Sequence, residues 1–361
     1  MSHSRKEMIS FFVTTKCNLN CIYCYTNKNT GEHRHQTLNY DFAKVGIDDY
    51  YSTSYDKHVR FFGAGEPTIE LELIKRILAY AKEKEPSTTA EMQTNGCFSE
   101  TTASWIANNI DIVWISSDGR PQFQDYYRPT INAGKSSPLL ERNIRYLCAN
   151  GKGMAGVRMT ITQQNSKEQI SNIDYFKDLG IRNFWVDPIF PAVGETQPLD
   201  AVDMNSFVSD FVQAVKYAHT CGMTYGSILT CNFDEPGELA CRALLPVPHL
   251  TTDGFVSACD MALYGEDADH IDLFIYGKWD AISNKIIYDE KKIEYLRSIN
   301  LQNLPKCAKC EVGVYCRGYC PGEVVNETHD LFGCKQGICR PTIEIFKQLT
   351  DIEKSYKYSH P

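Results

Sequence analysis

The chain has 361 residues, with 45 acidic against 37 basic side chains and a net charge of −8. That length allows about two domains or one large barrel, and the acidic balance excludes a general attraction to nucleic acid or to an anionic membrane. No apolar run approaches the roughly 18 residues that would span a bilayer.

The opening "MSHSRKEMISFFVTT" lacks the apolar core of a signal peptide, so a cytoplasmic location is expected. Fifteen cysteines are many for such a protein, and the number is odd. They read as reduced thiols that could bind zinc or iron–sulfur clusters, not as a disulfide framework.

From the N terminus, β-type runs alternate with helix-type runs. Strands are predicted over 8–15, 58–63, 90–95, 110–119, 156–162 and 183–190. Between them, 68–84 places Ile69, Leu73, Ile77 and Leu78 near a helical period, and 137–151 carries Ser137 and Pro138 at its start and Gly151 at its end. Another amphipathic helix is predicted over 205–222.

This alternation implies an α/β fold with a parallel sheet and crossover helices. Six strands suggest a partial (β/α)6 TIM-like barrel. After about residue 230 the pattern changes to loops dense in cysteine. A β-hairpin is predicted from "LFIYGKWD" and "NKIIYD" (273–289), and a closing helix over 341–357 with Pro341 at its start. The expected units are therefore 1–230 and 231–361.

Cysteine spacing carries the chemistry. Cys97, Cys148 and Cys221 are isolated and read as small buried hydrophobes. In "TTKCNLNCIYCYTN" (14–27), Cys17, Cys21 and Cys24 follow a strand at x3 and x2 spacing. A structural zinc would need a fourth ligand from elsewhere. Three thiolates on one loop can instead hold three irons of a [4Fe–4S] cluster and leave the fourth open.

This loop resembles that of the radical S-adenosylmethionine (SAM) enzymes, in which SAM itself binds the open iron. Further pieces resemble the family in order along successive strand ends. "GAGEP" (63–67) is similar to the GGEP motif, with Ala64 in place of a glycine, and implies SAM contacts from Ala64, Gly65 and Glu66. "QTNG" (93–96) implies contacts from Thr94 and Asn95. "ISSDG" (115–119) implies Ser116 and Asp118, followed by a D-x-x-R in "QDYYRP" (124–129). Tyr23 implies an adenine neighbour, and Arg158 a partner for the SAM carboxylate. All would lie at the C-terminal rim of the barrel, where such active sites form.

A second pattern is longer. Cys241-x12-Gly254-x4-Cys259 is followed by Cys307-x2-Cys310-x5-Cys316-x3-Cys320, then Cys334 and Cys339. It resembles the SPASM signature, an auxiliary domain with two further [4Fe–4S] clusters found in radical SAM enzymes that modify peptides and proteins. The resemblance assigns Cys241, Cys259 and Cys320 to a first auxiliary cluster. It assigns Cys307, Cys310 and Cys316 to a second, with Cys339 favoured over Cys334 as the last ligand. The fourth position of the first cluster stays open between Cys231 and no protein ligand.

The family resemblance implies an enzyme that uses SAM and three [4Fe–4S] clusters, supplied with electrons by a flavodoxin or ferredoxin. A 5′-deoxyadenosyl radical would take hydrogen from the substrate. Asp260 directly follows Cys259, where sulfatase-maturing relatives have a catalytic Asp; it reads as a base or as a loop residue that accepts a backbone hydrogen bond.

Three functions are weighed. The first is oxidative modification of a ribosomally made peptide, such as a cross-link. The second is oxidation of Ser or Cys to formylglycine in a sulfatase. The third is a non-enzymatic zinc protein. The cluster loop begins at Cys17, which leaves no room for the peptide-recognition domain fused ahead of many peptide maturases, so a separate recognition protein is expected, or none.

Overall fold

The six predicted strands form, and their alternation decides what faces what. The computed structural model describes residues 7–28, 35–195, 197–266 and 269–355. Strands β1 (Ile9–Phe12), β2 (His58–Phe62), β3 (Thr89–Thr94), β4 (Ile112–Ser116), β5 (Met154–Ile161) and β6 (Asn183–Pro188) overlap the predicted windows. They pair in that order, all parallel.

Three short strands escape the sequence reading. β7 (Thr224–Gly226) adds in parallel to β6, and β8 (His249–Leu250) adds in parallel to the opposite edge, at β1. β9 (Phe255–Ser257) runs antiparallel to β8. Pieces of two or three residues hold too few side chains to show a period. The predicted hairpin is β10 (Ile275–Asp280) with β11 (Lys285–Tyr288).

The sheet order is β11-β10-β9-β8-β1-β2-β3-β4-β5-β6-β7, so the eight parallel strands curve as an unclosed barrel. The expected division at 230/231 falls just after β7, yet β8 to β11 beyond it continue the same sheet.

Side chains alternate across each strand. One parity is apolar and packs on the helices: Phe11, Phe61, Met92, Ile115, Val157 and Val186 are all buried in the core. The other parity faces the lumen and is polar or aromatic. Register places Ser10 beside Arg60, Gln93 beside Trp114, and Ser116 beside Arg158, which pairs on to Trp185.

The helices differ in detail from expectation. A 3-10 turn at Pro67–Glu70 precedes the helix Leu71–Lys84, so Ile69 is exposed and the buried stripe is Leu73, Ile74, Ile77, Leu78 and Ala81. The helix Ser137–Asn150 is not capped by its own serine. The Asp125 carboxylate accepts from the backbone N–H groups of Ser136 and Ser137 and from the Ser137 hydroxyl.

The helix Met204–Thr220 forms as predicted and is capped by Asp203. The closing helix starts earlier than expected, at Gln336, and carries Pro341 inside it. It ends at Gln348 and is followed by a turn of helix at Asp351–Lys354. Residues 356–357 of the predicted span lie outside the described residues. Among the described residues no helix is long and apolar enough to cross a membrane.

Candidate active site

The loop after β1 carries Cys17, Cys21 and Cys24 over the strand ends. Leu19 bridges to Thr130, the Cys24 N–H donates to the Cys21 carbonyl at 3.1 Å, and Asn95 Nδ2 approaches Cys17 Sγ at 3.9 Å. Burial pushes the Cys17 thiol up to about 11 and Cys21 to about 12. The thiols raise one another further, and Arg128 opposes this at Cys21.

Coordination to iron would remove those protons, so the donor set fits a cluster. Three thiolates on one loop, each able to bind a different iron, suit a polynuclear cluster.

The segment 63–67 is bound to this loop. Gly65 N–H donates to Thr14 O at 2.9 Å and Glu66 N–H to Lys16 O at 2.7 Å. A Cβ on Gly65 would lie 2.1 Å from Lys16 O, so only glycine fits. Ala64 is different. Its methyl packs into a small apolar cluster with Phe12, Phe62, Leu263 and Tyr264, which explains a residue other than glycine there.

Several residues expected to touch SAM are engaged by the protein. Buried Glu66 accepts from Thr68 N–H at 3.1 Å, the Thr68 and Thr94 hydroxyls, each at 2.6 Å, and Asn95 N–H at 2.7 Å. Burial raises its carboxyl, and these bonds oppose the rise. The Thr94 hydroxyl is thereby used, and Asn95 Nδ2 donates to Asn18 Oδ1 at 2.7 Å.

Asp118, expected among the ligand contacts, is fully buried. It accepts from Tyr23 Oη at 2.5 Å and from Arg128 Nε at 3.0 Å and Nη2 at 3.2 Å. The Tyr23 ring also lies 5.4 Å under the Arg128 guanidinium. Ser116 stands at the end of β4 opposite Arg158.

Two arginines mark the lumen. Arg158 donates to Gln93 Oε1 at 2.9 Å and lies 3.9 Å from Asp187, with 31% of its side chain exposed. A guanidinium has five donors, so it retains capacity for an anionic ligand. Arg60, which the sequence reading passed over, is almost sealed. Its Nε donates to Ser10 Oγ at 2.9 Å, its Nη1 to Asp260 Oδ2 at 3.0 Å, and its Nη2 to Asp260 Oδ1.

Asp260 therefore reaches from the cysteine-rich half into the barrel. Burial would raise its carboxyl, but Arg60 and His249, whose Nδ1 is 3.2 Å from Oδ1, hold it well below the usual carboxylate range. A carboxylate so paired is a weak base. The backbone-capping reading of Asp260 gives way to an ion pair. A signal for Arg60 was present: in "HVRFF" it shares strand parity with Phe62, opposite Val59 and Phe61.

The remaining cysteines fall into two groups. Cys241, Cys259 and Cys320 influence one another electrostatically, and Gly322 leaves room for Cys259 Sγ, which a Cβ would meet at 3.0 Å. Cys307, Cys310, Cys316, Cys334 and Cys339 form the other. Cys334 and Cys339 lie together, with their sulfurs 3.6 Å apart.

A cavity of about 180 Å³ separates the lumen from these thiols. Arg60, Trp114, Arg158, Trp185 and Asp260 line its barrel side. Cys231, Cys241, Cys316 and Cys320 line the other. Cys97 is buried, while Cys148 and Cys221 are half-buried, and none of these three lines the cavity.

Residues 11–197 match the family model of the radical SAM superfamily. The tungsten-containing aldehyde ferredoxin oxidoreductase cofactor-modifying protein of Pyrococcus furiosus is 23% identical over 328 residues, covering 84% of this chain and 87% of that one. Another archaeal relative, 28% identical over 183 residues, is spanned over only 61% of its length.

Among solved structures, anSMEcpe with bound AdoMet superposes with a TM-score of 0.76 at 15% identity, over 94% of this chain and 92% of that one. Streptococcus suis SuiB bound to the precursor peptide SuiA gives 0.68 at 16%, over 93% and 76%. At such identities the likeness speaks for the fold.

Proposed function

The chain belongs to the radical SAM superfamily, and from that premise we propose that it oxidatively modifies a ribosomally made peptide by a cross-link or a related C–H functionalisation. SAM with its [4Fe–4S] cluster supplies reductively triggered hydrogen abstraction when bound. Cys17, Cys21 and Cys24 would hold that cluster, and Gly65 lets the strand-end backbone approach its loop. Arg158 and Ser116 would face the SAM carboxylate and ribose, and Tyr23, fixed by Asp118, would border the adenine.

One observation carries the reading. A single cavity is walled by the lumen side chains on one side and by thiols of the second cysteine set on the other. A substrate there would lie between the site of hydrogen abstraction and two proposed auxiliary clusters able to accept the remaining electron. SuiB and anSMEcpe, with the same fold, have been solved with bound peptides. A flavodoxin or ferredoxin would serve as reductant.

The second reading, formylglycine formation, is favoured by the position of Asp260 beside Cys259. It needs that carboxylate to take a proton from Ser or Cys, and both oxygens already accept hydrogen bonds from Arg60. Anaerobic co-expression with candidate precursor peptides drawn from the neighbouring genes tests the choice. Peptide modification predicts 5′-deoxyadenosine release and a product lighter by two hydrogens that does not react with a hydrazide. A hydrazide-reactive aldehyde on a Ser or Cys would establish the second reading instead, and absence of 5′-deoxyadenosine under reducing conditions would refute both.

A further inference from the structure

Cys231 lies ten residues before Cys241, outside the spacing signature, and nothing in the spacing says where it points. The structure clips the two together. The side chain next to Cys231 bonds to the residue next to Cys241: Asn232 Nδ2 donates to Ala240 O at 3.2 Å. The intervening loop is in turn bound to the stretch that carries Cys316 and Cys320. Buried Arg317 donates to Leu239 O at 3.2 Å and to Glu235 O, and Gly237 N–H donates to Val314 O at 2.8 Å.

That stretch is itself wound tightly. Arg317, Gly318 and Tyr319 all have positive φ, at 57°, 98° and 71°. Two non-glycine residues in a left-handed conformation are costly and persist only where the surroundings enforce them. The result is that Cys231 and Cys241 face one cavity together with Cys316 and Cys320 of the tightly wound stretch, and the bond from Asn232 to Ala240 ties Cys231 to the Cys241 side of it.

The same cavity wall has two polar groups with no partner among the described residues, Tyr319 Oη and Asn232 Oδ1. Their residues are only 8% and 3% exposed. Buried polar groups left unpaired are rare in native proteins, so this wall is polar and open to a further partner.

We infer that Cys231 supplies the fourth thiolate of the first auxiliary cluster, beside Cys241, Cys259 and Cys320. The inference rests on reading that set as a cluster site. It also means that every iron there has a protein ligand, so this cluster would accept an electron from the substrate without binding it.

The test uses full-length protein, reconstituted anaerobically, in a background with Cys17, Cys21 and Cys24 changed to Ala so that only auxiliary iron remains. In that background Cys231→Ser should alter the reduced EPR spectrum of one cluster and make about one iron per chain labile to mild oxidation. Cys241→Ala should remove about four irons, one whole cluster. If Cys241→Ala leaves iron unchanged, the cluster reading itself fails. If it removes a cluster while Cys231→Ser leaves spectrum and iron lability as they were, only the assignment of Cys231 fails.

The assignment also fails if Cys231→Ser perturbs the cluster that Cys307→Ala removes. A measurement on the unmutated protein does not depend on how variants fold. Cys231 should resist alkylation in the holoprotein and react once chelation has removed the iron. Equal rates in the two forms would overturn the assignment.

Discussion

The Arg60–Asp260 pair should respond unequally to loss of its two members, because they are unequally buried. The Arg60 side chain is 6% exposed and that of Asp260 37%. Asp260→Asn leaves a sealed guanidinium without its counter-charge, and removing one partner of a buried pair costs about 3–5 kcal/mol. Arg60→Met leaves a carboxylate that water in the cavity can reach, and it keeps an apolar stem against Phe62, 5.0 Å from the guanidinium. Its cost should fall toward the range of solvated pairs, about 1–2 kcal/mol once the lost Ser10 bond is included.

The double variant removes both charges and should recover part of the larger loss, with a coupling of about 1–3 kcal/mol. Thermal and urea midpoints of the four proteins, measured anaerobically with the same iron content, give the ranking. Arg60→Met costing as much as Asp260→Asn, or strictly additive losses, would refute the reasoning. Asp260→Asn should also leave SAM cleavage intact while depressing product formation, and unchanged product yield would return Asp260 to a purely structural role.

Replacing Cys17, Cys21 and Cys24 together with Ala should abolish 5′-deoxyadenosine formation but leave iron bound elsewhere in the chain, as iron analysis of the purified variant would show. Gly65→Ala drives a methyl into Lys16 O and should cost about 1–3 kcal/mol or more together with SAM cleavage. Ala64→Gly should cost about 1 kcal/mol and retain cleavage, as 5′-deoxyadenosine assays and melting curves would show. Burial holds the His249 imidazole below its ordinary value of 6.5, with Asp260 opposing. A lowered histidine contributes stability that is complete above its unfolded value and is lost as pH falls below it, so the wild-type urea midpoint should drop from pH 7.5 to 6.0 more than that of His249→Gln.

What could be read from the sequence was whatever is encoded locally. Thiol spacing within a loop is fixed by covalent geometry, so Cys17, Cys21 and Cys24 could be paired with a chemistry before any fold was known. The strands were legible because their apolar parity is continuous, as in "HVRFF" and "IVWIS". The same alternation sets Arg60 apart from Val59 and Phe61, but a strand seen alone does not show which face is lumen and which is shell.

The hydrogen-bond partners of Asp118 were hidden for a related reason. A polar strand-end residue reads as a ligand contact unless its partners are known, and both, Tyr23 and Arg128, come from other parts of the chain. Asp125 was noted only as part of a D-x-x-R, because a cap supplied from eleven positions away, on the preceding helix, leaves no mark on the helix it caps. Cys231 could be read from the sequence only as one of two alternatives, since its relation to Cys241 depends on a side-chain hydrogen bond that spacing does not show.

The division near residue 230 shows where compositional reading reaches its limit. Composition does change there, but β8 pairs with β1 and so covers the edge that the first half of the chain would otherwise expose. Unpaired edges are a liability for any sheet, and this one is covered from the cysteine-rich half. The chain just beyond β9 then delivers Cys259 and Asp260, and Asp260 neutralises an arginine inside the barrel. The cysteine-rich half thus completes two things the first half leaves unpaired, a strand edge and a buried charge. The second cysteine set is placed against the lumen by the sheet itself, which is why one cavity can have arginines on one wall and thiols on the other.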